Sequence, residues 1–294
     1  MNDGVHENDG SGHGPAPGFV RLAETLSRLT DLPGLDAGQC QLMHRRVITL
    51  LDMRDRFLIK YRSTFDAETL DAYRAMRSDG AELTARQIED ETLHLFALAQ
   101  LTLAEGAETA GHLERTAGYA RTLAETRGDQ AVFITSLGHA APIHDIGLLV
   151  VPEEIFARRG LVDSYESMLV DTHTRIGGKL VETVMRSLGV SDGPLAIGCD
   201  IAHCHHERYD GLGPQGLAGE TIPYAARLFA IADVYDTLRR RRPHRESLDH
   251  TAAVVAIRAG NRDGRAQFDP DLLPVFVDCA ERFDAVFRAV NDPD

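Results

Sequence analysis

Apolar side chains recur every three or four residues through most of this chain, and no stretch alternates convincingly with a period of two. That pattern predicts helices and no sheet. Val20, Leu22, Leu26 and Leu29 mark a first helix, which stops at Asp31-Leu-Pro-Gly34. Met43, Val47, Leu50, Leu51, Phe57, Leu58 and Tyr61 mark a longer one, and Leu70, Tyr73 and Met76 a third before Ser78-Asp79-Gly80. From about Thr84 to Thr126 the pattern predicts either one helix bent near Gly106 or two in succession. Ala131 to Leu149 reads as a mostly apolar helix, with Gly147 ending it or admitting a close neighbour. Pro152, Glu153 and Glu154 suit the first turn of a short helix. Asp163-Ser164 caps a helix expected to reach about Leu188, with His173 and Gly177 inside it. A glycine within a helix costs about 1 kcal/mol relative to alanine, so Gly177-Gly178 implies a close contact or an approaching ligand. Further helices are expected over Pro194 to Tyr209 and Tyr224 to Leu238, then as two segments separated by a loop at about Gly260 to Pro270.

The expected architecture is all-α: a smaller helical domain over 19–100 followed by a helical bundle over 101–294. Residues 1–18 are rich in Gly, Asp, Asn and His and read as a disordered tail.

With 294 residues, the chain can supply two modest domains. Its 43% hydrophobic and 26% charged content is ordinary for a globular protein. No apolar run approaches the ~20 residues of a membrane span, and the first residues lack a signal peptide's apolar core. The expectation is a cytoplasmic protein with no membrane partner. Cys40, Cys199, Cys204 and Cys279 form no C-x-x-C pair and are read as reduced thiols. A net charge of −14 argues against DNA or RNA as a partner, yet a small phosphate ligand remains compatible with a metal or a local basic cluster. The arginines between Arg45 and Arg62 are interleaved with Asp52 and Asp55 and read as a solvated face. The domain over 19–100 shows no cofactor signature and is assigned a sensory or dimerising purpose.

Thirteen histidines change this picture, because seven of them fall from His112 to His206. His112, His144, Asp145, His173, His205, His206 and Asp233, together with Glu108, fall on several separate expected helices. A bundle builds a metal centre from inward side chains on facing helices. Nitrogen and oxygen donors without thiolate favour iron, manganese or similar ions, with zinc also compatible. Glu108 and His112 are four residues apart and so share a helical face. His139 and His203 are read either as groups orienting the ligands or as ordinary packing.

At this point the sequence resembles the HD-GYP domain, a bacterial branch of the HD phosphohydrolases that hydrolyses cyclic di-GMP. The matching pieces are Glu108-Thr-x-x-His112-x-x-Arg115, His144-Asp-Ile-Gly147, Val151-Pro-Glu-Glu-Ile155 and His173-Thr-x-x-Gly177. They continue with His205-His-Glu207, Asp210-Gly-Leu-Gly213, Gly216-Leu-x-Gly219, Ile222-Pro223, Ala232-Asp-Val-Tyr-Asp236, Arg242-Pro-x-Arg245 and Phe268-Asp-Pro270. The resemblance covers about residues 100 to 290, in family order.

It implies metal ligation by His144, Asp145, His173, His205, His206 and Asp233, with Asp145 bridging two ions. Glu108 and His112 match the positions that complete a third site in some members, so two or three divalent ions, iron or manganese, are implied. A metal-bridging hydroxide would attack phosphorus, with His144 and Asp145 central to catalysis. The product would be the linear dinucleotide, GMP or both. Arg242 and Arg245 match phosphate-contacting positions, a role suited to the planar guanidinium, and Gly213 and Pro214 belong to the substrate loop. Arg239, Arg240 and Arg241 are read instead as a solvated helix end favourable to the helix dipole. A homodimer through the long helix and protein partners in signalling are further family expectations.

Two positions depart from the family. Its Gly-Tyr-Pro is Gly213-Pro214 here, without the tyrosine, and Leu148 stands where a lysine is frequent. Losing a charged hydrogen bond costs about 1.5 to 3 kcal/mol. A weakly active or inactive cyclic di-GMP receptor, or a phosphodiesterase for another cyclic dinucleotide, is therefore the alternative expectation.

Overall fold

The computed structural model describes Leu98 and residues 108–150, 172–241, 246–261 and 265–290. The tail over 1–18 and nearly all of the domain over 19–100 lie outside these residues. So do the helices expected at Pro152 and Asp163, and both Arg242 and Arg245.

Seven α-helices are present among the described residues: α1 (Ala110–Arg127), α2 (Ala131–Ala140), α3 (His173–Leu188), α4 (Pro194–Cys204), α5 (Tyr224–Arg239), α6 (His250–Ala259) and α7 (Leu272–Ala289). No strand forms among those residues; Asp210 and Ala218 make one isolated bridge. The all-α expectation holds.

Local chemistry sets the helix ends. The Thr109 hydroxyl accepts the His112 N–H and caps α1, which Gly128 closes in the left-handed region at φ 84°. Because Thr109 is extended, no helix runs unbroken from Thr84 to Thr126. Glu108 consequently precedes α1 rather than sharing its face. The apolar stretch Ala131–Leu149, 19 residues long, is not one helix either. It breaks after Ala140, and Pro142 lies in the short 3-10 turn Ala141–Ile143 that follows. His144 and Asp145 occupy the turn between this and a second 3-10 segment, Ile146–Val150. At 19 residues the stretch meets the length of a membrane span. Its half-buried state and its break suit a core segment instead.

Helix α3 begins at His173, so that histidine opens the helix rather than lying inside it. Helix α4 stops at Cys204, five residues before the expected end. Beyond it, the Glu207 carboxylate accepts the N–H groups of Gln215 (2.8 Å) and Leu217 (2.9 Å), drawing the glycine-rich loop back on itself. That geometry cannot continue a helix.

A single cluster of buried apolar residues runs through α1 to α7, and its aromatic part lies between α1, α5 and α7. Tyr119 stacks on Phe283 with centroids 4.7 Å apart, and Tyr235 and Phe276 meet Phe283 edge-on. Helix α3 packs along α4, and Ile146–Val150 lies across α3.

A candidate metal centre

Gly147 explains how the His144-Asp145 turn is held. A Cβ built on it would lie 2.0 Å from the His173 carbonyl oxygen and 2.7 Å from the Gly177 nitrogen. The turn thus rests directly on the first turn of α3, a contact only glycine permits. Gly178 serves the neighbouring α3–α4 contact, where an added Cβ would meet His203 Cβ at 2.5 Å. The glycine pair expected to need a close neighbour has one.

Asp145 therefore faces three imidazoles. Its Oδ1 lies 3.0 Å from His173 Nε2 and 3.4 Å from His205 Nε2, and its Oδ2 lies 3.3 Å from His144 Nε2. His112 Nε2 is 3.3 Å from His144 Nε2 and 3.8 Å from both Asp233 Oδ1 and Glu108 Oε2. His206 is exposed, yet its ring meets His205 at 4.2 Å and His173 at 4.9 Å between centroids. Among the described residues, three sets have donor atoms within 4.8 Å of one another: His173, His205 and His206; His112, His144 and Asp233; Glu108, His112 and Asp145. All eight positions expected as ligands thus meet in one place.

The other ring nitrogens decide what this cluster can accept. His144 Nδ1 is 3.0 Å from the Ala141 carbonyl and His205 Nδ1 is 2.9 Å from that of Ile201. His112 Nδ1 is 2.8 Å from Asp236 Oδ2. Each Nδ1 therefore carries hydrogen as a donor, leaving Nε2 of a neutral ring as a lone pair. Lone pairs then face one another between His112 and His144, and His205 faces the Asp145 carboxylate. Asp145 Oδ1 is itself buried, and the polar atoms facing it are the Nε2 atoms of His173 and His205. Such crowding of acceptors calls for cations, and nitrogen and oxygen donors fit divalent metal ions.

A proton on His144 also answers part of that crowding. Burial works against the His144 charge, but the Asp145 carboxylate outweighs it and holds His144 at about 9. Burial likewise opposes ionisation of Asp145, which the His144 charge and imidazole hydrogen bonds hold well below the carboxylate range.

Asp236, fully buried on α5, is the main residue the sequence reading left without a role. It receives Arg115 Nε at 2.6 Å, Arg115 Nη2 at 3.0 Å and the Tyr119 hydroxyl at 3.2 Å, besides orienting His112. Its spacing of three from Asp233, and that of Arg115 from His112, was the available signal.

The arginines near 240 also need correction. Arg239 donates to Asp284 at 2.6 Å and to the Tyr235 hydroxyl at 2.8 Å, and lies over Phe287. Arg240 approaches Glu108 at 3.4 Å. Both find partners near their own helix end, so only Arg241 is the exposed residue expected. Gly213 packs against Glu207, where a Cβ would be 2.7 Å from the Glu207 Cα, and Pro214 is exposed. His139, lowered by burial and then by the Arg121 charge, is a packed residue of α2.

Residues 82–272 match the HD domain family. The chain belongs to that family, and its domain is of the HD-GYP type. It is 32% identical over 224 residues to a cyclic di-GMP phosphodiesterase of Vibrio cholerae, covering 73% of this chain and 45% of the relative. A cyclic di-GMP phosphodiesterase response regulator of Xanthomonas campestris is 37% identical over 183 residues, 62% of this chain and 46% of that protein. A 3'3'-cGAMP-specific phosphodiesterase of Vibrio cholerae is 29% identical over 199 residues, 67% of this chain and 36% of that one. The chain spans less than half the length of these relatives. Among solved structures, an HDG"Y"P protein from Bdellovibrio bacteriovorus aligns at TM-score 0.46 and 15% identity over 89% of this chain and 78% of that one.

Proposed function

We propose that this chain is a metal-dependent phosphodiesterase for a cyclic dinucleotide, with cyclic di-GMP as its substrate and the linear dinucleotide or GMP as product. The observation that carries the reading is the convergence of the His144, His173 and His205 Nε2 atoms on the buried Asp145 carboxylate. His144, Asp145, His173, His205, His206 and Asp233 would hold divalent ions, iron or manganese, with Glu108 and His112 beside them. When bound, such ions acidify water and offset charge developing on phosphoryl oxygens.

The chain's own residues supply the rest. The Ala141 and Ile201 carbonyls and the Asp236 carboxylate fix three imidazoles in one tautomer, so that no reorganisation is needed when substrate arrives. The hydrogen bonds from His112 and Arg115 hold Asp236 ionised against its burial. Arg242 and Arg245 are assigned to the phosphates, and the loop at Gly213 and Pro214 to the substrate's flank, by resemblance.

Leu148 supports a second reading. An apolar side chain stands where a lysine would add a charge for the phosphate, and the loop has lost the tyrosine. A receptor that binds without cleaving, or an enzyme selecting another cyclic dinucleotide, is consistent with both changes. Names among the relatives include both cyclic di-GMP and 3'3'-cGAMP phosphodiesterases, which makes the pair the natural panel. Purified chain loaded with manganese(II) or iron(II) is incubated with each, and products are separated by chromatography. Linear product from cyclic di-GMP supports the reading. Product from 3'3'-cGAMP alone reassigns the substrate, and tight binding of either without product establishes the receptor.

A further inference from the structure

One Glu108 oxygen faces both an imidazole nitrogen and a guanidinium. Its Oε2 lies 3.8 Å from His112 Nε2 and 3.4 Å from Arg240 Nη1. Arg240 caps the C-terminus of α5, where ψ 140° takes the backbone out of the helix. Its Nε lies 3.9 Å from Asp236 Oδ2, one helical turn back, so the guanidinium is carried along the acidic side of the centre. The Glu108 and Arg240 side chains are only 14% and 19% exposed, which limits screening by water.

By donor chemistry alone, Glu108, His112 and Asp145 would suit one more divalent ion, since their ligand atoms lie within 4.8 Å of one another. The fixed positive charge of Arg240 alters that balance. A carboxylate oxygen already facing a guanidinium has less to offer a metal, and an incoming dication meets a cation that cannot be deprotonated. Asp236 cannot relieve the repulsion, because Arg115, His112 and Tyr119 already take its oxygens.

We propose that Arg240 stands in for a further divalent ion, tying up Glu108 so that the resident centre holds two ions rather than three. The inference rests on the metal-centre reading above but not on the hydrolysis. Arg240 is thus a positioning residue that sets metal stoichiometry through Glu108.

The test counts ions rather than turnover. Chelator-stripped full chain is dialysed against manganese(II), and bound metal per chain is measured by atomic emission for wild type, R240A, R240K and the double variant R240A/E108Q. About two ions are expected in wild type and R240K, about three in R240A, and about two again in the double variant. Losing one charged contact at Glu108 should tighten the weakest site at least about tenfold in R240A. R240Q keeps the side-chain length without the charge and carries the same expectation should R240A fail to fold.

Three ions in wild type, or unchanged stoichiometry and affinity in both R240A and R240Q, would overturn the proposal. Should no variant bind manganese, the proposal and the metal-centre reading fall together. A third ion gained by R240A in a chain that never cleaves a cyclic dinucleotide upholds the proposal and removes the hydrolytic reading alone.

Discussion

Asp236 shows how much one buried side chain can govern here. It satisfies Arg115, orients His112 and receives Tyr119, and all of these are buried. Replacing it with alanine strands the Arg115 charge in the core. The expected cost is about 3 to 5 kcal/mol, as for other broken buried ion pairs. D236A should also weaken metal binding by about 10- to 100-fold through loss of the group orienting His112. Denaturant melts and metal titration of the same preparation check both effects; unchanged values would show that the network is not needed. Individual ligand-type residues were legible in the sequence because histidine and aspartate are rare and costly in apolar surroundings unless partnered. Asp236, Arg240 and Glu207 were less so. Their partners lie 121, 132 and 8 to 10 residues away, and no local pattern marks such pairings.

Between elements, the decisive contact is the His144-Asp145 turn against the start of α3. Gly147→Ala would drive a methyl group to 2.0 Å from the His173 carbonyl, so the turn and the helix must separate. Overpacking of this kind costs about 1 to 3 kcal/mol, and the displacement should reduce metal affinity more than a surface Gly→Ala change does. A metal titration of G147A beside G128A separates the two, since an alanine at Gly128 meets no atom within 4 Å and strains only its own φ of 84°. Equal metal affinity in both variants would remove Gly147 from the account. Helix existence was readable from periodicity, and α5 and α7 lie where expected. Helix ends were not. Thr109 and Glu207 stop or shift helices through side-chain bonds to backbone N–H groups, and α2 ends ahead of Pro142 despite an apolar pattern that continues to Leu149.

Across the whole molecule, α5 is tied to α7 by Arg239 and Asp284, beside the contact of Asp284 with Arg288. Burial opposes ionisation of Asp284, but Arg239 overcomes it and holds the carboxyl below its ordinary value. A depressed folded value means that this stabilisation is complete above the usual carboxylate range, about 4, and is lost as pH falls through the folded value. Melting temperature should therefore drop on the acid side, and D284N should flatten that limb. An acid limb of the same steepness in D284N would show that other carboxylates set it. The bundle class was readable from the sequence because every strong apolar pattern has the same helical period. The centre became readable only once positions more than a hundred residues apart were taken together.

The central claim is that Asp145, shared among His144, His173 and His205, holds the divalent ions on which phosphodiester cleavage depends. It is tested most directly by measuring bound manganese and cyclic di-GMP turnover together in wild type and in D145A, with folding verified by melting. The account predicts metal and linear product in wild type, both abolished by chelation, and loss of both in D145A. A D145A chain that keeps its metal and cleaves cyclic di-GMP at the wild-type rate would contradict it.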